Sequence, residues 1–121
     1  MNQQPIIELN PQDWEEVKRI LGRFIPGLEV WAFGSRAKLN AKPYSDLDLA
    51  VISRQPLPIA TMAALREAFD ESDLTIKVDV VDWATTKDQF RKIILENKVV
   101  VQFPGQALQT EKERVCGNKS E

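Results

Sequence analysis

The most constraining stretch of this chain runs from Trp31 to Ile52, WAFGSRAKLNAKPYSDLDLAVI. Apolar runs close both of its ends. Between them lie a small-residue turn, Gly34-Ser35, then ten further residues, then two carboxylates one residue apart, Asp46 and Asp48. The pattern predicts a strand, a tight turn, an excursion and a second strand over Asp46–Ile52. Side chains alternate faces along a strand, so Asp46 and Asp48 share one side while Leu47, Leu49 and Val51 turn toward a core. Two carboxylates on one face of a buried strand repel each other and resist desolvation. A divalent cation offsets both effects. Hard oxygen ligands suit Mg²⁺, which takes one or two carboxylates together with water and phosphate oxygens.

The turn upstream suits the phosphate half of such a site. Gly34 lets a backbone approach a ligand closely. Ser35 offers a hydroxyl and a backbone N–H, and Arg36 a planar cationic fork. A helix opening at Ser35 would add favourable potential for an anion. Taken singly these features are ordinary, since Asp-x-Asp is common on exposed strand faces and Gly-Ser is a common turn. Their order and spacing form the signal, and a later segment strengthens it. Leu74–Trp83 reads as a third strand with Ile76, Val78 and Val80 on one face and Lys77, Asp79 and Val81 on the other. Asp79 and Asp82 both offer a third carboxylate, but their opposite parity lets only one share a given face unless the strand bulges.

Gly34-Ser35, the ten-residue interval and Asp46-Leu47-Asp48 together resemble the signature of the DNA polymerase β-type nucleotidyltransferases, most nearly the minimal nucleotidyltransferase (MNT) group. Arg36-Ala37 and Ser45 also match that group's GSRA…SDLDL form. The segment from Ile76 to Trp83 is similar to its third-carboxylate strand and selects Asp79 over Asp82. The resemblance spans roughly Asp13 to Gln102. It implies an α+β fold: a mixed β-sheet with helices packed against it, the polymerase β-like palm, as a minimal single domain. It implies transfer of a nucleotide, with ATP as substrate. An acceptor attacks the α-phosphate and pyrophosphate leaves. Asp46 and Asp48 would hold two Mg²⁺ ions, with Mn²⁺ open to the same oxygen ligands. Asp79 would bind the catalytic ion and help deprotonate the acceptor. Gly34 and Ser35 would hold the β- and γ-phosphates, with Arg36 as charge partner.

Larger relatives carry a second domain for the acceptor. The acceptor site is therefore expected on a partner chain or in a dimer interface. In the minimal group the partner is a small helical HEPN protein encoded nearby, and the nucleotidyltransferase acts as antitoxin by attaching AMP to that toxin. Two alternatives stand beside this reading. One is a catalytically silent subunit that binds nucleotide or partner; the intact carboxylate set argues against it. The other is an adenylyltransferase acting on a small molecule; the lack of an acceptor domain weakens it.

The rest of the chain bounds these readings. At 121 residues one domain is expected. A net charge of −2 and a pI near 5.3 argue against a broad nucleic-acid footprint. The chain has no histidine, which excludes His-dependent triads and His-ligated zinc. The single cysteine, Cys116, leaves no intrachain disulfide. No apolar run approaches the roughly 18 residues of a membrane span, and MNQQPIIELN is not a signal peptide, so a cytoplasmic protein is expected. Residues 1–10 read as a loose lead-in, 11–103 as the nucleotidyltransferase domain and 104–121 as a flexible polar tail. Helices are expected at Pro11–Phe24, where Asn10 caps and Pro11 opens, at Pro58–Glu71, and at Lys87–Asn97 with Thr86 as cap. Phe90, Ile93, Ile94 and Leu95 are read as the inward set of that last helix. Lys98–Phe103 reads as a final strand or a packed extended segment.

Overall fold

A computed structural model describes residues 6–105 of the chain. Cys116 and nearly all of the expected tail lie outside the described residues, as does the first half of the lead-in.

Helix α1 runs Pro11–Phe24, with the bounds its pattern predicts. The Asn10 side chain accepts the Asp13 N–H at 2.7 Å, and proline occupies the start of the helix, where no N–H is needed. Its apolar stripe, Trp14, Val17, Ile20 and Leu21, is buried. Strand β1 (Glu29–Phe33) follows, then a one-turn helix α2 (Ser35–Lys38) and strand β2 (Leu47–Ile52). Helix α3 (Ile59–Asp70) leads to strand β3 (Val78–Asp82), a 3₁₀ turn at Trp83–Thr85, helix α4 (Asp88–Asn97) and strand β4 (Val99–Gln102). The sheet order is β3-β2-β1-β4. β1 is antiparallel to both β2 and β4, whereas β2 and β3 run parallel, so the sheet is mixed.

The period-two pattern of the strands fixes the two faces. Val30, Ala32, Leu47, Leu49, Val51, Val78 and Val80 pack in one core with Ile20 and Leu21 of α1 and Met62, Leu65 and Phe69 of α3. The opposite face holds a smaller cluster of Trp31, Phe33, Ala50 and Ile94, the last from α4. Trp83 meets Trp31 edge-on at 5.1 Å, and the Arg91 guanidinium stacks on Trp83 at 4.7 Å, which pins the 3₁₀ turn and α4 to the sheet.

β2 begins at Leu47 rather than Asp46, α3 at Ile59 rather than Pro58 and α4 at Asp88 rather than Lys87, and four further expectations change. β3 begins at Val78, not Leu74. The cause is Asp13, buried in the first turn of α1, whose carboxylate accepts the Thr75 N–H at 3.1 Å and the Thr75 hydroxyl at 2.5 Å. That bond draws residue 75 out of strand geometry. Thr86 does not cap α4; its hydroxyl donates to the Asp82 carbonyl at 2.7 Å, and Lys87 takes the cap position without a side-chain bond. Of the four residues read as inward on α4, only Ile94 is buried, while Phe90, Ile93 and Leu95 are 39, 50 and 48% exposed. The helix therefore meets the sheet along a narrow stripe. Residues 6–10 are not loose throughout: Ile7 and Leu9 lie in the main core, and the Glu8 N–H donates to the Arg36 carbonyl at 2.9 Å.

Candidate active site

The site is built at the end of β2 where the chain enters the sheet. β2 begins at Leu47, so Asp46 stands one residue before the strand and is exposed, and Asp48 is the second strand residue and half-buried. The parallel register sets Asp48 beside Asp79, and the antiparallel register sets it beside Phe33. Alternation does the rest: with Leu47, Leu49, Val78 and Val80 committed to the main core, Asp48 and Asp79 are left together on the opposite face.

Crowding of like charge shows in Asp48. Its carboxyl is pushed up from an ordinary 3.8 to about 6, first by burial and then by the charges of Asp79 and Asp46. All three carboxylates therefore share one field. They do not form a closed cluster: among the described residues, no three acidic or thiol side chains are already gathered at metal-holding distances. Like charges at this density stand apart unless a cation draws them together. The donor set fits a hard cation, since it is carboxylate oxygen alone, in an electronegative patch whose central member resists ionisation.

Asp82, the competing carboxylate, is elsewhere. It faces the main-core side, is 9% exposed, and accepts the Leu57 N–H at 2.9 Å and the Ala84 N–H at 3.1 Å. Both oxygens are used in capping the 3₁₀ turn and tying down the segment before α3. The parity argument thus separates the two candidates as the strand pattern requires.

Gly34 joins β1 to α2 with φ of 81°, a conformation that favours glycine. A Cβ built there would collide with the Asp48 carboxylate oxygen, so the absence of a side chain is what lets the turn close over Asp48. Ser35 is the first residue of α2 and is partly exposed beside this turn. α2 is a single turn, too short to add much dipole.

Arg36, expected beside the phosphates, is instead turned into its own loop. It is only 7% exposed, and its guanidinium donates entirely to backbone carbonyls: Ser45 at 2.9 Å, Glu8 at 2.5 Å, Pro43 at 3.1 Å and Lys42 at 3.4 Å. It clamps the loop that carries Asp46 onto the N-terminal segment. Sequence reasoning missed this because an arginine after a Gly-Ser turn looks the same whether it points at a ligand or back into its own loop. Apolar Ile7 and Leu9 on either side of Glu8 were the available hint that the N-terminal segment had something to pack against, and both are buried.

The mixed four-stranded sheet and the carboxylate row at its β2–β3 edge define a polymerase β-type nucleotidyltransferase. The chain belongs to that family: the profile described as Polymerase beta, Nucleotidyltransferase matches residues 15–103. Among individual proteins, the chain is 50% identical over 96 residues to the Probable protein adenylyltransferase MntA of Haemophilus influenzae, covering 79% of this chain and 84% of that one. Solved structures share the fold. A toxin–antitoxin crystal structure with AMP-PNP superposes with a TM-score of 0.63 at 20% identity, covering 86% of this chain and 95% of the other. A tri-AMPylated Shewanella oneidensis HEPN toxin in complex with its MNT antitoxin matches with a TM-score of 0.57 at 18% identity, covering 88% and 94%. Among the described residues no helix is long and apolar enough to cross a membrane.

Proposed function

We propose that this nucleotidyltransferase moves AMP from ATP onto a protein acceptor, a small helical HEPN-type toxin encoded beside it, and so acts as the antitoxin of the pair. The observation that carries the reading is the register of Asp48 and Asp79 across β2 and β3, with Asp46 close enough to raise the Asp48 carboxyl. The similarity to a protein named as an adenylyltransferase supports the choice of AMP and of a protein acceptor. The two chains would form a hetero-oligomer in the cytoplasm.

Asp46, Asp48 and Asp79 would hold Mg²⁺, or Mn²⁺ in its place. When bound, the ions supply Lewis-acid charge that neutralises the triphosphate and the developing charge on the reacting oxygens. The chain's own residues do the positioning. Gly34 brings its backbone close to Asp48 and, with the Ser35 hydroxyl and N–H, offers a seat for the β- and γ-phosphates. Asp79, exposed on the edge strand, would accept the proton of the attacking hydroxyl. Phe33 lies beside Asp48 in the strand register and its ring meets Phe90 edge-on at 5.6 Å, giving the carboxylate row an apolar wall on its inner side. Arg36 acts from behind, by holding the loop from which Asp46 projects.

The test uses ATP labelled on the α-phosphate, Mg²⁺, and the purified protein with and without the product of its neighbouring gene. Label that moves onto the partner and is lost in Asp46→Asn is the expected result. A stoichiometric complex with no label transfer would return the chain to a silent binding subunit. Pyrophosphate release that depends on a small molecule and ignores the partner would make it a small-molecule adenylyltransferase.

A further inference from the structure

The loop between α2 and β2 is braced by hydrogen bonds along its length, yet its tip gives nothing to its own fold. The Ser45 N–H donates to the Lys42 carbonyl at 3.0 Å and the Lys42 N–H to the Ser45 hydroxyl at 2.9 Å, closing a tight turn with Pro43 and Tyr44 at its centre. Proline at that position presets the backbone. From behind, the buried Arg36 guanidinium holds the carbonyls of Lys42, Pro43 and Ser45 together. The Ala41 N–H is tied to the Glu8 carboxylate at 2.7 Å. At the tip of this braced turn, two residues before Asp46, stands Tyr44, the chain's single tyrosine. It is 80% exposed, and the structure gives it no hydrogen bond or ring contact among the described residues. Loop packing, the ordinary role for such a residue, is therefore ruled out.

An aromatic ring on a pre-ordered turn loses little freedom when it binds something, and tyrosine gives large contact area together with a polar tip. The surroundings narrow what it binds. Lys38, the last residue of α2, and Lys42 of the loop are exposed, and neither forms an ion pair with a carboxylate among the described residues. Leu39, held at φ 65° where α2 ends, adds exposed apolar surface. The segment thus exposes two large apolar or aromatic side chains and two lysines, and it runs directly into Asp46 of the carboxylate row, where an acceptor hydroxyl has to arrive.

We propose that this loop is the docking surface for the acceptor protein, with Tyr44 as the anchor that seats in an apolar pocket on the acceptor, and with Lys38 and Lys42 facing acidic groups around that pocket. The inference rests on the acceptor being a protein, as in the function proposed above. It assigns to Tyr44 a role in choosing the acceptor, separate from the chemistry at Asp46, Asp48 and Asp79.

The experiment measures two affinities for each variant by calorimetry: for the HEPN-type protein encoded alongside, and for ATP with Mg²⁺. Wild type is compared with Tyr44→Ala, Tyr44→Phe and Lys42→Glu, and steady-state label transfer is followed in parallel. Tyr44→Ala should weaken partner binding by ~10-fold or more and raise KM for the acceptor by a like factor, as loss of an interface anchor does. Affinity for ATP and the melting temperature should stay at wild-type values, and Tyr44→Phe should recover most of the loss. Lys42→Glu should slow association with the partner, and the defect should shrink as salt is raised. Unchanged partner affinity in Tyr44→Ala overturns the proposal. So does weakened ATP binding at unchanged partner affinity, which would assign the ring to the nucleotide base. A wild-type protein that binds the partner but transfers no label removes the proposed function alone, since the binding comparison still decides the loop. A wild type that fails to bind the partner overturns both.

Discussion

The α-carbon of Gly34 lies so close over the Asp48 carboxylate that a methyl group added there would strike Oδ2, and would lie 3.3 Å from Cγ. Two motifs separated in sequence by the whole α2 loop are thus in van der Waals contact, and the turn cannot move without moving the carboxylate. Gly34→Ala meets two penalties: the positive φ, worth about 1 kcal/mol for a residue with a Cβ, and the collision itself. Because the collision is with a half-exposed side chain, Asp48 gives way rather than the backbone. The expected outcome is a folded protein, melting a few degrees lower, with kcat down ~100-fold, the size of loss that a displacement of about 1 Å in a reacting group produces. Circular dichroism with label transfer on the same sample checks it. A Gly34→Ala protein with wild-type turnover would show that the contact is not part of the site.

The raised carboxyl of Asp48 makes the metal-free protein sensitive to pH. Its folded value, about 6, lies above its ordinary 3.8, so folding favours the protonated form. That contribution is fully present below pH 4 and is lost as pH rises through 6, leaving an electrostatic penalty at neutral pH. A two-unit shift corresponds to about 3 kcal/mol; for a group that water still reaches, screening reduces this to about 1 kcal/mol. Asp48→Asn removes the charge while keeping the shape. In EDTA it should melt above wild type at pH 7.5 and with wild type at pH 4, and at pH 7.5 it should transfer no label. Added Mg²⁺ should stabilise wild type more than the variant. Equal melting curves at both pH values would contradict the crowding of the three carboxylates.

Arg36 separates a phosphate contact from a structural clamp. Replacing it with methionine keeps the apolar length of the side chain and takes the guanidinium from the Glu8, Pro43 and Ser45 carbonyls, while the Lys42 carbonyl keeps the Ser45 N–H. Loss of a buried hydrogen-bonded charge should cost roughly 2–4 kcal/mol. The expected signature is a large fall in melting temperature and faster proteolysis in the 41–46 loop. Arg36→Lys should recover little, because one ammonium cannot reach carbonyls arranged for a planar fork. A variant with wild-type stability and a raised KM for ATP would return Arg36 to the phosphates.

How much of this was legible in the sequence follows the physics of each signal. Alternation in LDLAVI and VDVVD fixed which aspartates share a face, because period-two patterning survives any detail of packing. Helix α1 was readable to the residue because its cap, proline and apolar stripe all agree. The start of β3 was not, since it depends on a hydrogen bond between Asp13 and Thr75, 62 residues apart, that no local pattern encodes. The inward face of α4 failed for a related reason: four apolar residues fit a helical stripe, but the sheet beneath buries Ile94 alone and meets Phe90 only edge-on through Phe33. The role of Arg36 was hidden because both of its readings demand the same residue at the same place.

Asp79 and Asp82 form a built-in control, three residues apart on one strand and on opposite faces. Asp82 is buried and its two oxygens accept the Leu57 and Ala84 N–H groups. Asp82→Ala leaves both donors without partners, at a cost of about 2 kcal/mol, and loosens the 3₁₀ turn that leads into α4. Asp79 is exposed, makes no such bond, and adds only like charge to its neighbour. Asp79→Ala should therefore leave the melting temperature unchanged or slightly higher while removing most of the transfer activity, since carboxylates acting as a unit do not lose activity in thirds. Asp82→Ala should do the reverse, melting several degrees lower with kcat close to wild type at a temperature where both are folded. The two variants assayed side by side, by thermal melt and by label transfer, distinguish the faces directly. A stable, inactive Asp82→Ala beside an active Asp79→Ala would place the third carboxylate on the wrong side of the sheet.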